Sequence, residues 1–230
     1  MSNITEHLVR GFDDEINHAR QLVIEMTQLV TRRMEQALLA LEAGDDTVAR
    51  QVVAGDKQVD RYEVAIDGAV LKILARRNPV AGDLRTVLSI SKIAVELEKI
   101  GNDIADFAGL VAYLFGPDTS NPNHALLLEI SKFGNLIKSM LDRLTLVLEK
   151  NDIQPAYSLL ENERDCQEEF RDGIRQQLDF AIQDARRIGR ALTLMRMMKV
   201  LEGCGEHCCH IAEYVIFMQD SIDVRHQMPK

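Results

Sequence analysis

The sequence predicts an all-α protein composed of two tandem three-helix bundles, and three observations support this fold class. Leu, Ala, Ile, Glu and Arg are abundant, while the 230 residues include 13 glycines, five prolines and no tryptophan. This composition favours helices over sheets. Long stretches place apolar residues at alternating steps of three and four, which is the spacing of one buried helix face. The pattern of the first half also returns in the second half, as in a tandem repeat.

The repeat is clearest in two stretches 104 residues apart, Leu97–Asp106 and Leu201–His210. Each stretch carries an apolar stripe with a polar stripe beside it, and neighbours on a stripe lie one helical turn apart. The polar stripes are Glu98, Asn102 and Asp106 in the first stretch and Glu202, Glu206 and His210 in the second. Each half of the chain therefore contains a row of carboxylates on one helix face.

Three helices are predicted in each half. They span about 5–43, 47–77 and 81–115 in the first half, and about 124–150, 154–183 and 187–221 in the second. The first helix ends at Gly44, a residue that suits a helix stop, and Asp45 or Asp46 suits the N-cap of the second helix. The second helix ends before Pro79, because the residue preceding a proline avoids helical geometry. Small residues line the third helix and predict that it is the inner member of its bundle.

The segment 116–123 is the predicted break between the halves, because it contains two prolines and no apolar pattern. The first repeat is therefore assigned to residues 1–116 and the second to residues 117–230.

Charge and hydropathy exclude several classes of protein. The formal net charge is −9, which disfavours nucleic acid as a partner, since that requires a basic surface. No apolar run approaches the ~20 residues of a membrane span, and the first residues lack an apolar signal core. Three of the four cysteines crowd the last helix, where disulfide geometry is poor. These features predict a cytosolic, reduced protein, at most peripheral to a membrane.

Several motifs follow one another along most of the chain, at Gly55–Asp60, Glu63–Asp67, Arg77–Arg85, Ile90–Lys92 and Glu96–Gly101. In order and spacing they resemble the PhoU family of phosphate-transport accessory proteins, and the resemblance covers nearly the whole chain. The tail Asp223–His226 also looks like that of bacterial members. The resemblance implies two three-helix bundles related by a pseudo-twofold axis.

The function that this resemblance implies is that of a cytoplasmic regulator without catalytic activity. The family restrains the phosphate-starvation response when phosphate is plentiful, and it limits phosphate uptake. It links the phosphate ABC transporter, through its ATPase subunit, to a membrane sensor histidine kinase. Family members commonly dimerise, so the expected partners are these two proteins and a second copy of the chain.

The resemblance also implies a candidate metal site in each half. The family's signature is an acid, three residues and then an Asp, on two helices of each bundle, and in some members these rows hold iron, zinc or other divalent cations. The positions carried over are Asp56, Asp60, Glu98 and Asn102 in the first half, and Glu163, Glu202 and Glu206 in the second. Asn102 and Gln167 stand where acids are expected, and Glu206 stands where Asp is usual. Each row is thus short of one charge, which weakens the case for tight or multinuclear metal binding.

Elementary physics leaves two interpretations of these rows open. Carboxylates one turn apart on facing helices form an oxygen-rich site that suits Mg²⁺, Ca²⁺ or Mn²⁺. A buried, uncompensated carboxylate costs several kcal/mol, so a buried row requires a cation, protons or basic side chains. An exposed row requires none of these and can remain an empty, solvated face.

The last helix offers a further candidate ligand, His210, which shares its polar stripe and has cysteines nearby. Glu, His and Cys together suit zinc or iron. However, Cys204 and Cys208 correspond to Ile100 and Ile104 of the first repeat. We therefore interpret these cysteines as small core residues.

Two other functions compete with the regulatory adaptor. A di-iron carboxylate oxidase needs Glu-x-x-His on two helices and two further Glu residues. That spacing occurs once, at Glu15 and His18, on the first helix and away from the acidic rows. The other alternative is a structural helical adaptor that holds no metal.

Overall fold

The computed structural model describes residues 2–116, 124–150, 152–161, 163–183 and 188–221, and the side chains of these residues from Gly11 onward except Gln183. Within these ranges the chain is helical and contains no strand. The helices are α1 (Ser2–Ala43), α2 (Asp46–Ala54), α3 (Lys57–Arg77), α4 (Ala81–Leu114), α5 (His124–Lys150), α6 (Gln154–Glu161), α7 (Glu163–Gln183) and α8 (Ile188–Asp220). The tail motif 223–226 and most of the predicted break, 117–123, lie outside the described residues.

These helices form the six predicted segments, because the middle segment of each half is divided into a short and a long helix. Gly44 has a left-handed φ of +65° and ends α1. Asp45 then caps α2, as predicted, by accepting hydrogen bonds from the backbone N–H groups of Thr47 and Val48 at 2.9 and 3.0 Å. The all-α class and the three segments of each half are thus confirmed.

The two halves pack through corresponding helices, α1 against α5 and α4 against α8. Both pairs run antiparallel. Gln28 of α1 bonds Glu149 near the end of α5, whereas Glu42 at the end of α1 bonds Ser131 near the start of α5. Glu96 of α4 likewise contacts His210 of α8, whereas the later residue Asp103 contacts the earlier residue Cys204. One contiguous apolar core joins both halves. Equivalent helices that meet antiparallel are the arrangement expected of the predicted pseudo-twofold axis.

The helix α4 is the inner member of its bundle, as its small residues predicted. It contacts α1, α2, α3 and α8. At Gly101 it approaches α3 so closely that an added Cβ would lie 2.9 Å from Val59 Cγ1. This close approach brings the polar edges of α3 and α4 together, which positions the first acidic row. Among the described helices, none is both long and apolar enough to cross a membrane.

Candidate functional site

The first acidic row lies at the exposed edge where α3 meets α4. Burial raises the pKa of Glu63, and the negative charges of Glu98, Asp67 and Asp60 raise it further, so these acids lie within electrostatic range of one another. Asn102 Nδ2 donates a hydrogen bond to Glu98 Oε1 at 2.7 Å. The amide that replaces the expected acid therefore partners the remaining carboxylate.

Asp56 lies at the break between α2 and α3, and its partner is a base on α1. Arg33 Nη1 donates to Asp56 Oδ1 at 3.0 Å, and Arg33 Nη2 donates to the Val52 carbonyl oxygen at 2.8 Å. The Arg33 side chain is 5% exposed and that of Asp56 is 28% exposed. An arginine thus provides the compensating charge that a half-buried acid needs.

The second acidic row lies where α7 meets α8. Burial raises the pKa of the Cys166 thiol to about 12, and the neighbouring charges of Glu202, Glu163 and Glu206 contribute to this rise. These three acids therefore lie within electrostatic range of one buried thiol. Gln167 Nε2 donates to Glu163 Oε1 at 3.4 Å. Like Asn102 in the first row, the amide that stands in place of an expected acid thus bonds the acid one helical turn away.

Four of the acids proposed to bind metal thus have partners within the protein. Asp56 pairs with a base, as does Glu202, whose carboxylate contacts the Lys199 ammonium group. Glu98 and Glu163 accept hydrogen bonds from amides. Within the described part of the chain, no three carboxylate or histidine side chains of the rows bring ligand atoms within 4.8 Å of one another. Metal binding by the rows stays a prediction.

A different group of ligand-type side chains meets at the contact between the two halves. We call it the Glu96 cluster: Glu96 and Asp103 of α4 with His207 and His210 of α8. His207 Nδ1 lies 2.6 Å from Glu96 Oε2, and His210 Nδ1 lies 3.4 Å from the same oxygen. The other Glu96 oxygen, Oε1, accepts from Lys99 Nζ at 3.0 Å. His207 Nε2 lies 3.9 Å from Asp103 Oδ2.

The electrostatics of the Glu96 cluster follow from burial and these contacts. Burial opposes ionisation of Glu96, which is 6% exposed, but hydrogen bonds from His207, His210 and Lys99 hold its pKa well below the usual range. The bond to Glu96 raises the pKa of His210, against the opposing effect of burial. Burial raises the pKa of Asp103 to about 6, although His207 acts in the opposite direction. The cluster therefore combines one stabilised carboxylate with one destabilised carboxylate.

Sequence reasoning missed Glu96, Asp103 and the role of His207. A signal for the first two was present, because both share one helical face with the buried residues Ile100 and Phe107. A charge within an apolar stripe indicates a partner on the facing helix. His210 was assigned to the stripe of Glu202 and Glu206, but its Nδ1 atom contacts Glu96 across the contact between halves.

The cysteines and the Glu-x-x-His motif have simple structural roles. Cys204 and Cys208 are fully buried, as predicted for core positions, and burial raises the pKa of both thiols well above the usual value. Glu15 accepts from Arg77 Nε at 3.0 Å and lies 3.9 Å from Lys72 Nζ, while His18 is exposed. The Glu15 carboxylate, which a di-iron site would need as a ligand, is therefore paired with two basic groups.

Comparison with known proteins shows the family of this chain. The family model of the PhoU domain matches it twice, at residues 23–111 and 130–215. The phosphate-specific transport system accessory protein PhoU of Escherichia coli is 31% identical over 224 residues, which cover 97% of this chain and 91% of that protein. The homologue of Pseudomonas aeruginosa is 30% identical with the same two coverages.

Solved structures agree with these matches. The crystal structure of PhoU from Pseudomonas aeruginosa superposes with a TM-score of 0.84 at 28% identity, covering 92% of this chain and 100% of that one. The phosphate transport system regulatory protein PhoU from Streptococcus pneumoniae superposes with a TM-score of 0.82, and its 22% identity shows the fold alone. Because both halves match the family and the likeness covers nearly the whole length, this chain belongs to the PhoU family.

Proposed function

We propose that this protein is an accessory protein of a phosphate-specific transport system, with a regulatory and non-enzymatic role. The observation that carries the proposal is the extent of the likeness. Relatives named as phosphate-specific transport system accessory proteins match over 97% of the chain, and the PhoU domain matches in both halves. Helical bundles serve many functions, so a match to one helical unit would say little about function. A match in both halves gives stronger support for the role that the relatives' names state.

The finer proposal is a cytoplasmic negative regulator of the phosphate-starvation response that also limits phosphate uptake. It links the ATPase subunit of the phosphate ABC transporter to a sensor histidine kinase and acts as a homodimer. The shape of the molecule supports an adaptor, since the two halves present similar acidic edges, α3 with α4 and α7 with α8. A protein with two related surfaces on one shared core suits the joining of two partners.

A divalent metal at the acidic rows, Mg²⁺, Mn²⁺, Zn²⁺ or Fe²⁺, remains part of this proposal. The eight candidate ligands were Asp56, Asp60, Glu98, Asn102, Glu163, Glu202, Glu206 and His210. The internal partners of several of these acids also support the metal-free adaptor, because they compensate charge without a cation. The di-iron oxidase has no such support, since its carboxylate candidate on α1 is paired with Arg77.

Deletion of the gene tests the proposed role. We expect phosphate-starvation genes to be expressed in phosphate-rich medium and phosphate uptake to rise, because the restraint is removed. A reporter fused to a phosphate-starvation promoter measures the first effect, and labelled phosphate uptake measures the second.

Return of the wild-type gene on a plasmid should restore both readouts, and the empty plasmid serves as the control. Unchanged reporter expression in the deletion strain would contradict the regulatory role. Purification of the tagged protein from cells tests the linkage, and absence of the transporter ATPase from the recovered proteins would argue against the proposed partner.

A further inference from the structure

We propose that Glu96, His207 and His210 bind a zinc ion at the contact between the two halves of the molecule. Each residue offers one ligand atom, and the three atoms lie within 4.8 Å of one another. Glu96 belongs to α4 and the histidines to α8, so the ligands come from different repeats. The predicted acidic rows, by contrast, each lie within one half.

The donor set and its spacing suit zinc. Two imidazole nitrogens and one carboxylate oxygen form a known type of zinc site. Zinc bonds of about 2.0–2.1 Å in tetrahedral geometry place neighbouring ligand atoms about 3.3 Å apart. The distance from His210 Nδ1 to Glu96 Oε2 is 3.4 Å, whereas that from His207 Nδ1 is 2.6 Å. One of the three edges between these ligand atoms thus has the required length, and a small rotation of His207 would lengthen its edge to Glu96.

The surroundings supply the outer partners that metal ligands need. Histidine ligands usually direct their second ring nitrogen at a carboxylate. His207 Nε2 faces Asp103 Oδ2 at 3.9 Å, and Gly203 leaves room for that carboxylate, since an added Cβ would lie 2.9 Å from Asp103 Oδ2. Lys99 Nζ holds Glu96 Oε1 at 3.0 Å, which leaves Oε2 for the metal.

The exposure of the ligand side chains indicates what occupies the fourth coordination position of the zinc ion. The Glu96 side chain is 8% exposed, so a cation bound there would interact with a carboxylate that is largely shielded from water. The His210 side chain is 50% exposed, which leaves the fourth position open to water. Cys204 does not belong to the group of ligand atoms that meet within 4.8 Å, and its Sγ lies instead 3.9 Å from Asp103 Oδ2. A zinc ion bound here joins α4 to α8 and so links the two halves.

Zinc titration of the full-length protein, after removal of metals with a chelator, tests this site. We expect wild-type protein to bind zinc and the His210→Asn variant to bind one ion fewer or at least about tenfold more weakly, since loss of a ligand should cost no less than loss of an outer partner. Calorimetry measures the affinity. Cobalt serves as a spectroscopic probe, and its intense tetrahedral d–d bands should weaken in the variant.

Two control variants locate the ion. His18→Asn removes an exposed histidine of α1 and should bind zinc as wild type does. The Glu98→Ala/Glu202→Ala variant removes an acid from each row and should also retain this ion. Glu96→Gln, with its helicity checked by circular dichroism, tests the ligand from the opposite helix.

Three results would overturn the proposal. They are no zinc binding by wild-type protein, unchanged binding by His210→Asn, and loss of zinc from the Glu98→Ala/Glu202→Ala variant alone. The third result would place the ion in the acidic rows.

Discussion

The two halves use the same backbone contact but fill it with different side chains. In the first half Gly101 of α4 faces Val59 of α3, where an added Cβ would meet Val59 Cγ1 at 2.9 Å. In the second half Gly205 of α8 faces Cys166 of α7, where an added Cβ would meet the thiol at 3.1 Å. These residues occupy equivalent positions of the repeat. The close approach of the helices is therefore a property of the fold, while the residue that fills it is specific to each half.

A second pair of equivalent positions shows a larger difference. Arg33 of α1 corresponds to Met140 of α5, and both are buried. Arg33 joins Asp56 and the Val52 carbonyl group, so it ties α1 to the α2–α3 break. Met140 lies in the apolar core and has no charge to contribute. In the first half, the buried Arg33 thus compensates the charge of Asp56. In the second half, the equivalent residue Met140 is apolar and compensates no charge.

Transfer of the second half's residue into the first, Arg33→Met, should have the largest effect. We expect the free energy of unfolding to fall by about 2 kcal/mol, because a half-buried Asp56 and the Val52 carbonyl oxygen lose their donors. Urea denaturation followed by circular dichroism measures the change.

The exposed neighbour Arg32 provides the matched control, since Arg32→Met should alter stability by less than about 0.5 kcal/mol. If Arg33→Met is as harmless as this control, Arg33 does not hold the α2–α3 break. The double variant Arg33→Met/Asp56→Asn should recover part of the loss, because the unpaired charge is removed with its partner.

The glycine contacts should give the next largest effect. Gly101→Ala should lower the free energy of unfolding by about 1 kcal/mol, because the clash with buried Val59 outweighs the gain in helix propensity. Gly205→Ala should be close to neutral, because the tight contacts of its Cβ with Cys166 Sγ and Ile137 Cδ1 at 3.1 Å are offset by the gain in helix propensity. Thermal unfolding of both variants ranks them directly.

Gly109 serves as the control on the same helix as Gly101, because an added Cβ there meets nothing within 4 Å. Gly109→Ala should stabilise the protein by up to about 1 kcal/mol through helix propensity alone. Equal effects of Gly101→Ala and Gly109→Ala would show that α3 and α4 do not pack as closely as the structure indicates.

These comparisons explain how far the sequence predicted the fold. The apolar alternation predicted the six helical segments, and Gly44 with Asp45 predicted where α1 ends and α2 begins. The break within the middle segment of the first half was missed, because the apolar helix pattern continues across Gly55 and outweighed the signal of that single glycine. At the break of the first half, Asp56 is held by Arg33 of α1, a tertiary contact that periodicity cannot show.

The candidate site was less predictable, for a physical reason. Spacing along one helix shows which side chains share a face, and it grouped His210 with Glu202 and Glu206. The contact of His210 with Glu96 depends on the antiparallel register of α4 against α8, which joins residues far apart in sequence. The charges of Glu96 and Asp103 within an apolar stripe indicated a partner, but they could not identify it.

A small effect is also expected from Cys166→Val, which places in the second half the residue that fills the equivalent contact of the first half. We expect the free energy of unfolding to change by less than about 1 kcal/mol, because the fold already accommodates valine against a glycine at Val59. Cys166→Ser is the matched control, since it keeps the size but buries a hydroxyl group, and it should destabilise by about 1–2 kcal/mol. If valine costs as much as serine, the two contacts are not interchangeable. If valine is tolerated and serine is not, Cys166 serves as an apolar core residue.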